Sequence, residues 1–324
     1  MRIDLPGFFD LQVNGFAGVD FNDPDATDDD ILHAVQKIKA TGVTAFLPAL
    51  ITSSRQRFST CSKKILRLNP TGFAGFHMEG PYILSEDGPR GAHPREFVSA
   101  ANIEDFSRRQ EAAEGKILLV TLAPEVHGAL PLIEHLVESG VRVAIGHTAA
   151  TTQQISDAVK AGATLSTHLG NGCHLQMSRH PNLIWDQLAD DRLFASLIVD
   201  GHHLPPATVK AMIRAKGVER IILTTDAMAA AGCGPGNFKL NGEPVTVSAD
   251  GRVSHAGKPW LAGSSLTMDH AVANAVKITG LPLQAVWEMA SSRSAEFFGM
   301  KTGGRVVADW DVNAFRLTIR EVAA

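Results

Sequence analysis

At 324 residues and 34.6 kDa the chain exceeds a usual single domain, yet a barrel of about 250 residues folds as one unit. A hydrophobic fraction of 44% can fill such a core, and 30 Lys+Arg against 34 Asp+Glu give a net charge of −4, with no broad basic face for nucleic acid. Three widely spaced cysteines without a CxxC pair fit a reducing cytosol, and no leader-like or membrane-spanning apolar run is present, so the protein reads as soluble and cytoplasmic.

Along the chain, short apolar runs alternate with helical patterns. Phe8–Val13 comes first, then a helix-like stretch over Asp28–Ala40, then Ala45–Leu50 and the short run Gly75–Met78. Ile117–Leu122 precedes a helical pattern at Leu130–Ser139, and Val141–Ile145 precedes another at Thr152–Ala161. Ala163–Thr167, Ala195–Val199, a helical stretch Pro206–Lys216 and Ile221–Thr225 complete the series. Gly42, Gly140, Gly162 and Gly217 each sit just past a helical stretch, where a left-handed cap is wanted. Strands apolar on both faces that alternate with helices predict a buried parallel sheet, and eight of them predict a closed α/β (β/α)8 TIM barrel. Asn241-Gly242 and Asp250-Gly251 read as hairpin turns inside a polar excursion at about 237–260.

The chemistry lies at the ends of these runs, which is where barrel enzymes keep their active sites. Glu79, His147 and His168 follow three different strands and make a catalytic zinc-type set, one carboxylate and two imidazoles with a position left open for water. Any one of them alone is more simply a hydrogen-bonded strand-end residue; three together are not. Asp226 follows the last strand, where it can accept a proton from water and return it to a leaving amine. Gln12-x-Asn14 offers amides in place of a second pair of imidazoles, which predicts one tightly held divalent ion. Zn2+ suits the set, with Fe2+ the alternative. His93 lies in a Gly/Pro-rich loop able to reach over the mouth, and His202-His203 can aim one ring inward. Arg179 is a lone candidate for an anionic group. Gly232–Gly236 is no dinucleotide fingerprint, Cys173-His174 lacks a partner pair for a metal, and no G-x-S-x-G elbow is present.

Six blocks in this order resemble the N-acetylglucosamine-6-phosphate deacetylases of the amidohydrolase superfamily: residues 6–15, His77-Met78-Glu79-Gly80-Pro81, Gly146-His147-Thr148, Thr167-His168-Leu169, Asp200-Gly201-His202-His203 and Leu261-Ala262-Gly263-Ser264. The likeness runs from about Pro6 to about Gly299. It implies Glu79, His147 and His168 as ligands of the ion and Asp226 as catalytic acid/base. His93, with Ala92, would bind beside the acetamido carbonyl and polarise it. Asn171 and Gly172 would hold the sugar, Arg179 and His203 would engage the sugar or its phosphate, and Leu261, Ala262 and Gly263 would form part of the wall. A homodimer in which subunits share contacts is also implied.

Two departures stand out. Family members usually carry a longer segment ahead of the first barrel strand, which helps form a small β-sandwich. Here that sandwich is expected to be missing or vestigial, with residues 1–300 as the barrel and 301–324 as a short remnant. The second departure is Gly170-Asn171-Gly172, where the family more often has a bulky residue followed by Asn-Ala. The resemblance implies hydrolysis of the N-acetyl group of an amino-sugar phosphate, a small-molecule substrate, with no nucleic acid or membrane partner. Alternatives are an amidohydrolase acting on another N-acyl or cyclic amide, and a silent barrel that only binds a sugar phosphate.

Overall fold

The computed structural model describes residues 1–255 and 261–323. The eight apolar runs are all strands of one parallel sheet, taken here in order as the first to eighth barrel strands. They are Phe8–Val13, Val43–Ile51, Phe76–Glu79, Ile117–Leu122, Arg142–Ile145, Leu165–Ser166, Phe194–Leu197 and Ile221–Leu223, each paired with the next. Because both faces are buried, neighbouring residues on a strand serve different cores. Phe9, Leu11, Leu47, Leu119, Ala144, Leu165 and Ile222 fill the barrel with Ala295 and Phe297 of a short helix. Phe8, Phe46, Val120, Val143 and Ile221, one step away, pack with the surrounding helices. The helices begin where the sequence supplies a cap: Thr27 with Asp30, and Thr151 with Gln154, each close a capping box. Gly42, Gly140, Gly162 and Gly217 all take positive φ just past helix ends.

Between the first and eighth strands the seam is made differently. A single parallel bridge joins Val13 and Ala227, with the Asn14 and Gly15 amides both donating to the Ala227 carbonyl (2.7 and 3.1 Å). Below that bridge the wholly buried Asp10 carboxylate accepts from the Thr224 hydroxyl (2.7 Å), the Thr225 hydroxyl (2.5 Å) and the Thr225 amide (3.2 Å). Side chains do here what a ladder does elsewhere in the ring.

The first residues do not enter the barrel. Arg2–Pro6 pairs antiparallel with Arg305–Asp311, which pairs with Arg316–Ala323, giving a separate three-stranded sheet. That sheet packs on the helices Asp28–Ala40 and Met268–Thr279. The barrel thus starts at Phe8, and the strand before it joins the carboxyl-terminal strands. The polar excursion begins as a second antiparallel sheet, Gly236–Leu240, Glu243–Val247 and Val253–His255. Asn241 and Gly242 take φ of 52° and 90° between its first two strands, the mirror-image turn that Asn-Gly favours. Residues 256–260 of the expected excursion lie outside the described residues. No helix among the described residues is long and apolar enough to cross a membrane.

Candidate active site

Glu79 is the last residue of the third strand; His147 and His168 lie two residues beyond the fifth and sixth. His147, His168 and Asp226 all take positive φ, at 52°, 29° and 49°. Such backbone is strained for a residue with a Cβ, and here it turns three side chains from the strand direction into one mouth. Glu79 Oε1 lies 3.1 Å from His147 Nε2 and 3.0 Å from His168 Nε2. The three ligand atoms fall within 4.8 Å of one another, and all three residues are buried. His147 Nδ1 donates to the Pro89 carbonyl at 2.7 Å, which turns its Nε2 to the cluster. The His168 Nδ1 is buried without a partner, so nothing draws that ring away from the cluster. One carboxylate oxygen and two imidazole nitrogens with this convergence fit a catalytic divalent ion. Among the described residues they are the one such cluster. Burial alone would raise the Glu79 pKa, but the His147 charge and bonds from His147, His168 and His93 hold it well below the ordinary value.

Asp226 stands beside this cluster. Gln12 Nε2 bridges Glu79 Oε1 and Asp226 Oδ1, 2.9 Å from each, and Asn14 Nδ2 donates to the same Oδ1 at 2.7 Å. Both amides therefore spend their donors on carboxylates, and Asp226 Oδ2 is left for another partner. Burial, then the Glu79 charge, pushes the Asp226 pKa up to about 6. His93 is held by Thr52, whose hydroxyl lies 2.8 Å and whose amide lies 3.4 Å from Nδ1. The amide can only donate, so the ring proton sits on Nε2, which faces Glu79 Oε2 at 3.5 Å. Burial, then the neighbouring His147, lowers the His93 pKa to about 4, making it a neutral donor. Asp200 accepts from the backbone amides of His202 and His203 (both 2.8 Å) and from His203 Nδ1 (2.7 Å), fixing which ring nitrogen His203 presents.

Glu79, His93, His147, His168, His203 and Asp226 all line one cavity of about 490 Å³, within the usual size of a small-molecule site. Residues 3–316 match the amidohydrolase family. The chain belongs to that family, metal-dependent hydrolases of carbon–nitrogen bonds. It is 34% identical over 316 residues to an N-acetylglucosamine-6-phosphate deacetylase of Lysinibacillus sphaericus, covering 96% of this chain and 80% of that one. An N-acetylgalactosamine-6-phosphate deacetylase of Escherichia coli O157:H7 is 36% identical over 303 residues, covering 91% and 78%. The solved N-acetyl-D-glucosamine-6-phosphate deacetylase of Mycobacterium smegmatis superposes with a TM-score of 0.91 at 31% identity, covering 99% of this chain and 86% of that one.

In this amidohydrolase, Ala92, His93, Asn171, Gly172, His203, Leu261 and Gly263 line the cavity with Glu79, His147, His168 and Asp226. Two of the expected residues do not line this chain's own cavity. Ala262 is fully buried and packs with Met228, Val245 and Val253 under the wall instead of facing the cavity. Arg179 is exposed and does not line the cavity. The reason is local: Asn182 accepts from the Ile184 and Trp185 amides as a helix cap and donates to the Ser178 and Arg179 carbonyls, tying that loop outward. The Gly170-Asn171-Gly172 departure also acquires a reason. A Cβ on Gly172 would lie 3.1–3.3 Å from the His147 ring, and one on Gly170 would lie 2.9 Å from Leu204. Sequence reasoning passed over Pro89 and Thr52, which orient the two imidazoles, and Glu125, which accepts from Thr148 and the Ala149 amide and so steadies the loop after His147. It also passed over Arg252, which lines the cavity from the excursion. A carbonyl or hydroxyl partner leaves no mark in residue type or spacing.

Proposed function

We propose that the protein hydrolyses the N-acetyl group of an amino-sugar phosphate, N-acetylglucosamine 6-phosphate or its galactosamine epimer, to acetate and the free amine. The observation that carries this reading is the convergence of Glu79, His147, His168, Asp226 and His93 in one cavity, in a chain whose relatives bear those deacetylase names. A divalent ion held by Glu79, His147 and His168, zinc by the character of its ligands, would supply Lewis acidity at the open side of the cluster. The chain's own groups do the rest. Gln12 and Asn14 occupy Asp226 Oδ1, so Oδ2 takes the proton of the attacking water and passes it to the departing nitrogen. His93 Nε2–H donates to the carbonyl oxygen as it gains charge, a contact worth about 3–4 kcal/mol in comparable sites. Asn171 and His203 hold the sugar.

The reading includes a homodimer, because the segment that carries the exposed Arg179 also exposes Leu175 and Trp185, and Arg179 does not line its own chain's cavity. It includes a cytoplasmic setting, in keeping with three unpaired cysteines. The test is acetate release by metal-loaded protein from both phosphorylated epimers and from unphosphorylated N-acetylglucosamine. Turnover that is abolished by chelation and restored by zinc supports the reading; no turnover of any of them overturns it. Asp226→Asn is expected to keep fold and metal content while losing most turnover, since the amide cannot carry the proton. Normal activity in that variant would remove Asp226 from the mechanism.

A further inference from the structure

Carboxylates and imidazoles line the cavity, but among the described residues lining it there is one guanidinium or ammonium group, that of Arg252. Arg252 comes from the polar excursion, immediately before the strand Val253–His255. The turn that carries it is built to stay in place. The Ser248 amide donates to the Arg252 carbonyl, and the Gly251 amide to the Ser248 carbonyl, both at 3.0 Å. Two contacts then fasten the turn to the barrel. His202, after the seventh strand, donates from Nε2 to the Asp250 carbonyl at 3.0 Å, and the Ser265 hydroxyl donates to the Gly251 carbonyl at 2.7 Å. Gly251 takes φ of +87°, and a Cβ there would lie 3.2 Å from Ser265 Oγ, so the close approach depends on glycine. Behind the turn, Val245, Val247 and Val253 pack with Met228, Ala230 and Ala262, which follow the eighth strand or line its neighbouring loop.

Arg252 therefore lines the cavity from a turn fastened to the loops that follow the seventh and eighth strands, a quarter in which barrel enzymes frequently bind phosphate. His203, held by Asp200, lines the same cavity. We propose that Arg252 is the guanidinium that receives the substrate's phosphate within one chain, and that it sets the preference for phosphorylated over neutral amino sugars. This rests on the deacetylase reading above. A guanidinium offers a planar, bidentate fork to a phosphate, and in a partly enclosed cavity it is less screened than an exposed arginine such as Arg179. Its placement also orients the substrate. The dianion is drawn to the excursion wall and repelled by Glu79 and Asp226, so the acetamido end is the one that meets the carboxylates.

The test uses the full-length, metal-loaded enzyme and the variants Arg252→Gln, Arg252→Lys and Arg179→Gln. With the phosphorylated sugar that the wild type turns over, Arg252→Gln is expected to raise KM about ten- to hundredfold, far more than for the unphosphorylated sugar. Arg252→Lys, which keeps charge without the fork, is expected to fall between. In parallel, calorimetry measures inorganic phosphate binding, which Arg252→Gln should weaken by a similar factor while thermal unfolding shows a native fold. An undiminished preference for the phosphorylated sugar in Arg252→Gln overturns the proposal, as does a loss seen only in Arg179→Gln. Should the wild type turn over no amino-sugar phosphate, the deacetylase reading fails by itself, and phosphate calorimetry still decides on Arg252. Equal binding by wild type and Arg252→Gln then overturns its role.

Discussion

Residues that carry the chemistry here are held by partners that carry none. His147 illustrates this. Its ring is fixed by the Pro89 carbonyl on one edge and lies between Gly91 and Gly172, whose absent side chains leave room for it. Gly172→Ala would add a Cβ 3.1 Å from Nδ1 at a φ of +57°, a conformation that costs an alanine about 1–2 kcal/mol. The ring must give by a few tenths of an ångström, and with it a ligand of the ion. We expect this variant to bind zinc more weakly against a competing chelator and to lose about tenfold or more in kcat/KM. Wild-type zinc affinity would show that the ring does not depend on that gap. Glu79, His147, His168 and Asp226 were legible in the sequence because each directly follows an apolar run, and barrel geometry converts consecutive strand ends into one mouth. The direction of Arg179 was not legible, because a loop arginine reveals nothing of which way its loop turns; Asn182, three residues on, ties this one away from its own chain's cavity. Arg252 was hidden for the complementary reason. Asp250-Gly251 announces a turn, but only the contacts from His202 and Ser265 say that the turn lies over the cavity.

At the scale of elements, the seam between the first and eighth strands is the part of the barrel most dependent on a single side chain. Burial, opposed by bonds from Thr225, Thr224 and the Gln12 amide, pushes the Asp10 pKa up to about 6. The sign follows from which state holds the proton more tightly. The native carboxyl keeps its proton where the unfolded one, with a pKa near 3.8, has already lost it. The stabilisation is therefore fully present below about 3.8 and is lost as pH rises through about 6, on the order of 3 kcal/mol in all. Asp10→Asn cannot titrate there. The unfolding temperature of wild type relative to Asp10→Asn is expected to fall between pH 4 and pH 7, and a constant difference would refute the assignment. The strands themselves were readable as apolar runs, several to within a residue or two. The pairing of Arg2–Pro6 with Arg305–Asp311 was not, because the two segments lie at opposite ends of the sequence and each alternates too briefly to name a partner.

For the molecule as a whole, the three ligand residues come from strands 68 and 89 positions apart in sequence, so an ion bound to them ties together much of the ring. Zinc saturation is expected to raise the unfolding temperature by several degrees over chelated protein, because a ligand bound only by the native state stabilises it by mass action. No shift would mean that the cluster holds no ion in solution.

The seam also fixes the order in which the molecule can be assembled. Asp10 meets Thr224, and Gln12 meets Asp226, across 214 positions of chain, whereas successive strands of the ring are near neighbours in sequence. Bringing such distant segments together costs the most chain entropy, so these contacts form after the local pairings. Emerging from the ribosome, a chain that has not yet delivered Thr225 and Asp226 lacks its proton carrier, however much of the sheet is in place. Appearance of activity during refolding or synthesis should therefore lag the gain of secondary structure, and would serve as the clock for closure of the ring.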